Sequence, residues 1–434
     1  MVKISDQLLS SPSMKYENSL SYAQRLDQED DLRMYRDAFL CPRDQDGQRI
    51  IYFCGNSLGL QPRSTRAHVI EELDSWENRG IEGYFEGKRP WLSYHEELSA
   101  LMSEVVGAKP EEVIVMNTLS VNLHLMLVSF YQPRGKRCKV MIESDVFPSD
   151  RYAIESQIKL HGLSPSDCII DIHPRAGEIC LREEDIIAQI EAHGDEVALV
   201  LLGNTNYYTG QYFDMKSIST AAHAVGSYVG FDCAHAAGNL PLDLHDSGCD
   251  FAVWCTYKYL NSGPGSPGGA FVHIRHQQND QLPRLAGWWG HDESKRFDMR
   301  DAFDPMPGAA GWQLSCPTVL ALAGVRASLR LIKEAGGIHQ LRQKSIGLTG
   351  YLAYLLHTIN DDRISIITPT DHTQRGAQLS ISIAGVGKSV HQHLLQQGVI
   401  TDWREPDVMR VAPASLYNTY EEVYRFYQLL ADFL

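Results

Sequence analysis

Phe251-Ala-Val-Trp-Cys-Thr-Tyr-Lys-Tyr-Leu-Asn-Ser-Gly-Pro-Gly-Ser-Pro-Gly-Gly-Ala270 is the stretch on which the fold of this chain turns. An apolar run closes on Tyr257-Lys258, and a glycine-rich loop follows. A lysine at the end of a buried strand, with apolar surroundings to lower its pKa and flexible backbone beside it, suits Schiff-base chemistry with an aldehyde. Alone, the same lysine reads more readily as a surface residue before a hairpin.

A second run changes that balance. Twenty-six positions earlier, Ser227-Tyr-Val-Gly-Phe-Asp232 ends in an acid and continues Cys-Ala-His-Ala-Ala-Gly238. An aspartate buried at a strand end stays ionised only when paired, and the protonated ring nitrogen of pyridoxal phosphate is a suitable partner. His235, three residues on, is placed to lie over such a ring or to hold the Asp232 carboxylate. Taken singly, Asp232 reads as a turn residue and His235 as a core histidine; in order with Lys258 they read as a cofactor site.

The rest of the composition agrees with a soluble enzyme. At 434 residues the chain exceeds one small domain and fits two or three modules. Its 44% hydrophobic and 21% charged residues describe a globular protein. A net charge of −15 and the lack of a Lys/Arg stripe argue against nucleic acid. No run approaches the ~18 apolar residues that cross a bilayer, and the first twenty residues read as lacking a secretory signal. Nine cysteines without a CxxC pair predict reduced thiols in a cytoplasmic protein and no metal site.

Apolar β-rich runs recur at 113–116, 139–142, 168–172, 197–202, 228–231, 251–254 and 269–273, most of them separated by helical patterns such as 149–161 and 182–193. This alternation predicts an α/β fold with a large, mostly parallel seven-stranded sheet covered on both faces, its ligand at the carboxyl ends of the strands. Helical spacing over 22–39 suggests an N-terminal arm. Beyond residue 316 the pattern predicts a smaller C-terminal α+β domain. The expected division is an arm and entry segment over 1–60, a cofactor-binding domain over 61–315 and a small domain over 316–434. Gly385-Val-Gly-Lys-Ser389 is no P-loop, because Ser382 stands where the first glycine of that motif belongs.

With Asp232, His235, Tyr257 and Lys258 in order, the sequence resembles fold-type I pyridoxal-phosphate enzymes of the aminotransferase class V group, and among them the kynureninases. The likeness runs over nearly the whole chain. It is carried by Tyr52-Phe-Cys-Gly-Asn-Ser-Leu-Gly-Leu-Gln-Pro62, Gly87-Lys-Arg-Pro-Trp91, Phe147-Pro-Ser-Asp-Arg-Tyr-Ala-Ile-Glu-Ser156, Tyr208-Thr-Gly-Gln211, Phe231-Asp-Cys-Ala-His-Ala-Ala-Gly-Asn239, Tyr257-Lys-Tyr-Leu-Asn261, Gly287-Trp-Trp-Gly-His291 and Arg410-Val-Ala-Pro413.

The resemblance implies roles for these positions. Leu119 and Ser120 would hold the cofactor phosphate at a helix N-terminus, and Phe147 would stack on its ring with Pro148, Ser149 and Asp150 beside it. Tyr257, Trp288 and Cys316 would also reach the cofactor, the last two across a homodimer with shared active sites. Arg410 would grip the substrate α-carboxylate, and Ser57, Tyr84 and His291 would line the aromatic pocket. The implied reaction is hydrolysis of the Cβ–Cγ bond of L-kynurenine or 3-hydroxykynurenine, giving anthranilate or its 3-hydroxy form and L-alanine, in tryptophan catabolism and NAD synthesis. Lys258 would take the Cα proton, Asp232 would keep the ring nitrogen protonated and Tyr257 would relay protons.

Three positions depart from the family. Tyr84 stands where members that favour the 3-hydroxylated substrate carry histidine, Cys316 where they carry asparagine, and Gly203 where a small hydroxyl residue is usual. Loss of polar partners for a ring hydroxyl weakens discrimination strongly. Plain kynurenine, or a ring-substituted relative in secondary metabolism, therefore competes as substrate. A cysteine desulfurase on the same scaffold is disfavoured because no cysteine follows Cys316, and a non-catalytic relative because the cofactor residues are all present.

Overall fold

The apolar runs pair into one sheet, and all but the edge strand Ile169–Ile172, which is half-buried, are buried along almost their whole length. The computed structural model describes residues 15–277, 279, 281–299 and 301–434, so most of the N-terminal stretch read for a leader lies outside it. Seven strands form the large sheet: β1 (Val113–Met116), β2 (Lys139–Glu143), β3 (Ile169–Ile172), β4 (Val197–Gly203), β5 (Tyr228–Asp232), β6 (Phe251–Trp254) and β7 (Gly268–Val272). Their order is β1-β7-β6-β5-β4-β2-β3, with β7 antiparallel to both neighbours and the other neighbouring pairs parallel. Successive side chains alternate between two cores: Val200, Leu202, Val229 and Phe231 pack on one face, Leu199, Leu201 and Val253 on the other. The carboxyl ends of β2, β4, β5 and β6 therefore share one rim, which is where this topology binds ligands.

A second, four-stranded antiparallel sheet is made of β8 (Ile364–Ile366), β9 (Leu379–Ile383), β10 (Asp402–Arg404) and β11 (Val408–Val411), in the order β8-β9-β11-β10. The helix Tyr420–Phe433 covers it, opened by a reciprocal Thr419/Glu422 cap. The N-terminal helix Leu20–Glu29 packs here too: Tyr22 and Ala23 share a core with Leu348, Leu352 and Phe426, and Asn18 Nδ2 donates to Tyr427 Oη at 2.6 Å. The helix Val319–Glu334 instead sends Leu322, Val325 and Leu329 into the core of the large sheet.

Two local features differ from the pattern read in the sequence. The helical spacing over 22–39 breaks at Asp30, which is extended and accepts the Leu32 N–H on its side chain at 2.9 Å; a 3-10 helix, Arg33–Ala38, follows. β10 carries no apolar alternation and is held by its ladder with β11, in which Asp402 pairs Arg410. Among the described residues no helix is long and apolar enough to cross a membrane.

Candidate active site

Three carboxyls meet at the rim where β2, β4 and β5 end. Asp232, the last residue of β5, is 7% exposed, and its Oδ1 takes the Ala234 N–H at 2.6 Å. Asp150, in the first turn of the helix Pro148–Leu160, is 3% exposed and hydrogen-bonds Asp232. Burial pushes both acids above the usual carboxylate range, Asp232 against the pull of Lys258, Asp150 and the Ala234 N–H, which marks Asp150 as the one that holds a proton more readily. Glu143 closes β2 at 2% exposure; burial pushes it up to about 8, against the opposing pull of hydrogen bonds from the Gly203 N–H at 3.2 Å and Asn206 Nδ2 at 3.3 Å.

Lys258 lies just beyond β6, half-buried, and its positive charge acts on Asp232, Asp150 and His235. His235 is 7% exposed and held well below its ordinary pKa, first by burial and then by Lys258, Arg410 and Arg404, so its ring is neutral. Tyr257 is half-buried beside it, its phenol raised by burial and by Cys255.

The helix Leu119–Phe130 begins after Thr118, which offers no side-chain cap, so its leading amides stay open toward the rim. Asn117, at φ 50°, turns the chain into it, and its carbonyl receives the Gly268 N–H at 2.7 Å. A Cβ on Gly268 would stand 2.5 Å from the Trp254 carbonyl and 3.3 Å from the Leu119 nitrogen, so glycine is needed for this approach. Ser120 and Ser149 bring their hydroxyls to 3.2 Å of each other, and Pro148 starts the next helix. Phe147 leaves its ring 44% exposed, edge-on to Tyr207 at 5.2 Å.

These residues fit pyridoxal phosphate. A helix N-terminus with two hydroxyls suits a phosphate, and an exposed ring beside the site suits stacking. A buried carboxyl at the end of β5, Asp232, beside a second buried acid, suits a protonated ring nitrogen.

Arg410, on β11, is 1% exposed. Its Nη1 donates to the Tyr207 carbonyl at 2.8 Å, and its Nη2 donates to Ser57 Oγ at 3.1 Å and to Asp402 Oδ2. Ser57 also donates to Asp402, and Arg404 Nη1 stands 3.1 Å from the same carboxylate. A separate group gathers around Tyr84. Tyr84 Oη is 3.1 Å from Cys316 Sγ, and this bond, followed by burial, pushes the phenol up to about 12. The Tyr84 ring packs edge-on against Trp91 at 5.2 Å and leans on Trp289 at 6.2 Å. His291 is 6% exposed and accepts the Asp304 N–H on Nδ1 at 2.9 Å, which leaves its proton on Nε2. Trp288 sends its indole N–H to the Arg296 carbonyl at 3.2 Å, its ring contacts Trp289 and Phe297, and it is 50% exposed.

The sequence reading missed Glu143, Asp402 and Arg404. Glu143 repeats the signal that found Asp232, an acid closing an apolar run. Asp402 and Arg404 give no such signal, since only the β10–β11 ladder places them beside Arg410.

Comparison with known proteins follows the same lines. A family model described as "Kynureninase C-terminal domain" matches residues 341–430. The chain is 53% identical to a curated kynureninase of Myxococcus xanthus over 415 residues, covering 96% of this chain and 97% of that protein. It is 50% identical to one of Flavobacterium psychrophilum over 420 residues, covering 96% and 98%. A mutant of C-DES with glycine covalently linked to the PLP cofactor superposes with a TM-score of 0.73 at 17% identity, covering 88% of this chain and 96% of that one. The Escherichia coli cysteine desulfurase CsdA gives 0.71 at 16% identity, covering 93% and 97%. The likeness to these two is one of fold.

Proposed function

The chain belongs to the kynureninase family, and from that membership we propose that its preferred substrate is L-kynurenine itself, cleaved to anthranilate and L-alanine. It is a kynureninase-type hydrolase acting on a carbon–carbon bond in a ketone, and its cofactor is pyridoxal phosphate. The observation that carries the substrate assignment is the Tyr84–Cys316 contact at 3.1 Å. In place of an imidazole and a carboxamide, that pair offers a phenol and a thiol already bonded to each other, so a ring hydroxyl has to compete with that contact for a partner there. His291, with its proton on Nε2, is left to meet the aniline end or the γ-carbonyl. A ring-substituted kynurenine of a specialised pathway is the second reading, favoured by the same departures at Tyr84 and Cys316.

When bound, the cofactor supplies an aldehyde for the substrate amine and a ring that withdraws electrons from Cα and Cβ. The chain does the rest. Asp232 keeps a positive charge on the ring nitrogen, and Asp150, protonated, adds no second charge to oppose it. The Lys258 amine removes the Cα proton as general base, and Tyr257 passes protons at the same face. Neutral His235 lies against the ring without competing for Asp232. Leu119, Ser120 and Ser149 hold the phosphate, Phe147 stacks, and Arg410 fixes the α-carboxylate. Water then adds to the γ-carbonyl beside His291, and Cβ is protonated as alanine forms.

We place the enzyme in the cytoplasm, in tryptophan breakdown leading toward NAD, and as a homodimer in which Trp288 and Cys316 serve the neighbouring subunit's site. Initial rates on both substrates test the preference. A kcat/KM for kynurenine at least about tenfold above that for 3-hydroxykynurenine is expected; the reverse order overturns the assignment.

A further inference from the structure

Arg410 has five N–H donors in a planar fork, and three are committed. Nη1 gives one to the Tyr207 carbonyl at 2.8 Å; Nη2 gives both of its own, one to Ser57 Oγ at 3.1 Å and one to Asp402 Oδ2. The two left over are the Nε–H, which is buried and without a partner among the described residues, and one hydrogen on Nη1. A carboxylate that binds a guanidinium with both oxygens uses either Nε with Nη2 or Nη1 with Nη2; Nε and Nη1 never face one ligand together. Every two-pronged grip therefore needs an Nη2 hydrogen, and neither is free.

We propose that Asp402 and Ser57 form an internal latch on Arg410, a carboxylate of the chain's own that the substrate α-carboxylate must displace from Nη2. Asp402 is the cross-strand partner of Arg410 on β10 and β11. Its backbone is fixed by that ladder, and Arg404 offers the side chain a second cation, with Nη1 3.1 Å from Oδ1. Ser57 comes from a different segment and donates to the same Asp402 oxygen, steadying the acid on Arg410; displacing Asp402 frees one Nη2 hydrogen, which is all that a two-pronged grip needs. The acid also sets the local charge: with Asp402 the two arginines carry a net charge of about +1, and without it about +2. Asp402 is thus a positioning residue that keeps the arginine aimed in the resting enzyme and weakens its hold on carboxylates, which favours release of the alanine product.

This rests on Arg410 as the α-carboxylate anchor, and the experiment separates the two. On the holoenzyme, the dissociation constant of L-alanine is read from the cofactor absorbance, alongside KM and kcat for kynurenine, for wild type, Asp402→Asn and Arg410→Gln. The expected result is that D402N lowers the alanine dissociation constant and KM together by roughly three- to tenfold, with kcat within about threefold. L-alaninamide, which lacks the carboxylate, should show no gain. Unchanged or raised constants in D402N overturn the latch, and they do so with the anchor intact if R410Q raises KM at least about tenfold. If R410Q leaves KM within about twofold, the anchor itself is wrong. Should D402N not fold, Ser57→Ala frees one Nη2 hydrogen alone. A lower alanine dissociation constant in that variant supports the latch, and an equal or higher one overturns it.

Discussion

The roles proposed for Lys258 and Asp232 rest on two neighbouring parallel strands that end side by side. Replacing Lys258 with alanine should lower kcat by at least about a thousandfold, since both the aldehyde tether and the base are lost. Borohydride reduction of the wild type should leave a cofactor adduct on the peptide spanning Lys258, and its absence by mass spectrometry would refute the assignment. Gly203 is informative in a different way. A Cβ there would lie 2.9 Å from Glu143 Oε1, the far end of a flexible side chain. Gly203→Ser should therefore displace Glu143 and cost about 1 kcal/mol, and Gly203→Ser with Glu143→Ala should recover most of it; urea unfolding of both variants measures the difference. The sequence marked Gly203 as a departure from the family. The reason for it, a buried acid on the neighbouring strand, became visible only in the fold.

Glu143 also gives a pH dependence. Its native pKa is raised to about 8, above that of an unfolded glutamate, so the native state binds the extra proton between those values. Its contribution to stability is most favourable at low pH and is lost as the pH rises through the native pKa. Glu143→Gln should raise the melting temperature of the cofactor-free protein at about pH 9 and leave it nearly unchanged at about pH 5. Equal shifts at both would show that the acid is not buried in its neutral form.

Among the elements, the helix Val319–Glu334 is fastened to Thr65–Arg79 by a buried charge knot. Arg326 is fully buried and donates to Glu72 Oε1 and Glu71 Oε2, each at 2.9 Å, while Trp91 and Tyr94 also donate to Glu72. Replacing Arg326 with leucine leaves Glu72 buried without its cation and should cost about 3–5 kcal/mol in urea unfolding; a loss below about 1 kcal/mol would mean the acid is wet. At this scale the apolar periods in the sequence located the sheet strands to within a residue or two, since a strand buried on both faces has to be apolar throughout. β10 was not legible, because Asp402-Trp-Arg404 obeys no period and is held by its partner strand.

For the whole molecule, exposed aromatic surface points to assembly. Phe85, Trp288 and Phe297 are each about half exposed and adjoin one another, with ring centroids 6.1 Å apart for Phe85–Phe297 and 5.6 Å for Trp288–Phe297. Sedimentation should give twice the chain's 48.7 kDa, and Phe297→Glu should shift it toward monomer with loss of activity if neighbouring subunits share a site. An active monomer would separate catalysis from assembly.

The sequence by itself determined the α/β architecture, the order Asp232–His235–Tyr257–Lys258 and the family, because buried strands must be apolar and strand ends must carry whatever polar groups the chemistry uses. Only the tertiary structure decided that Glu143, Asp150 and Asp232 converge, that Tyr84 bonds Cys316, and that Asp402 occupies Arg410. Each of those contacts joins residues from separate elements, most of them far apart along the chain. Hydrogen bonds and shared protons depend on a few ångströms of side-chain placement, and no period in a sequence encodes that distance.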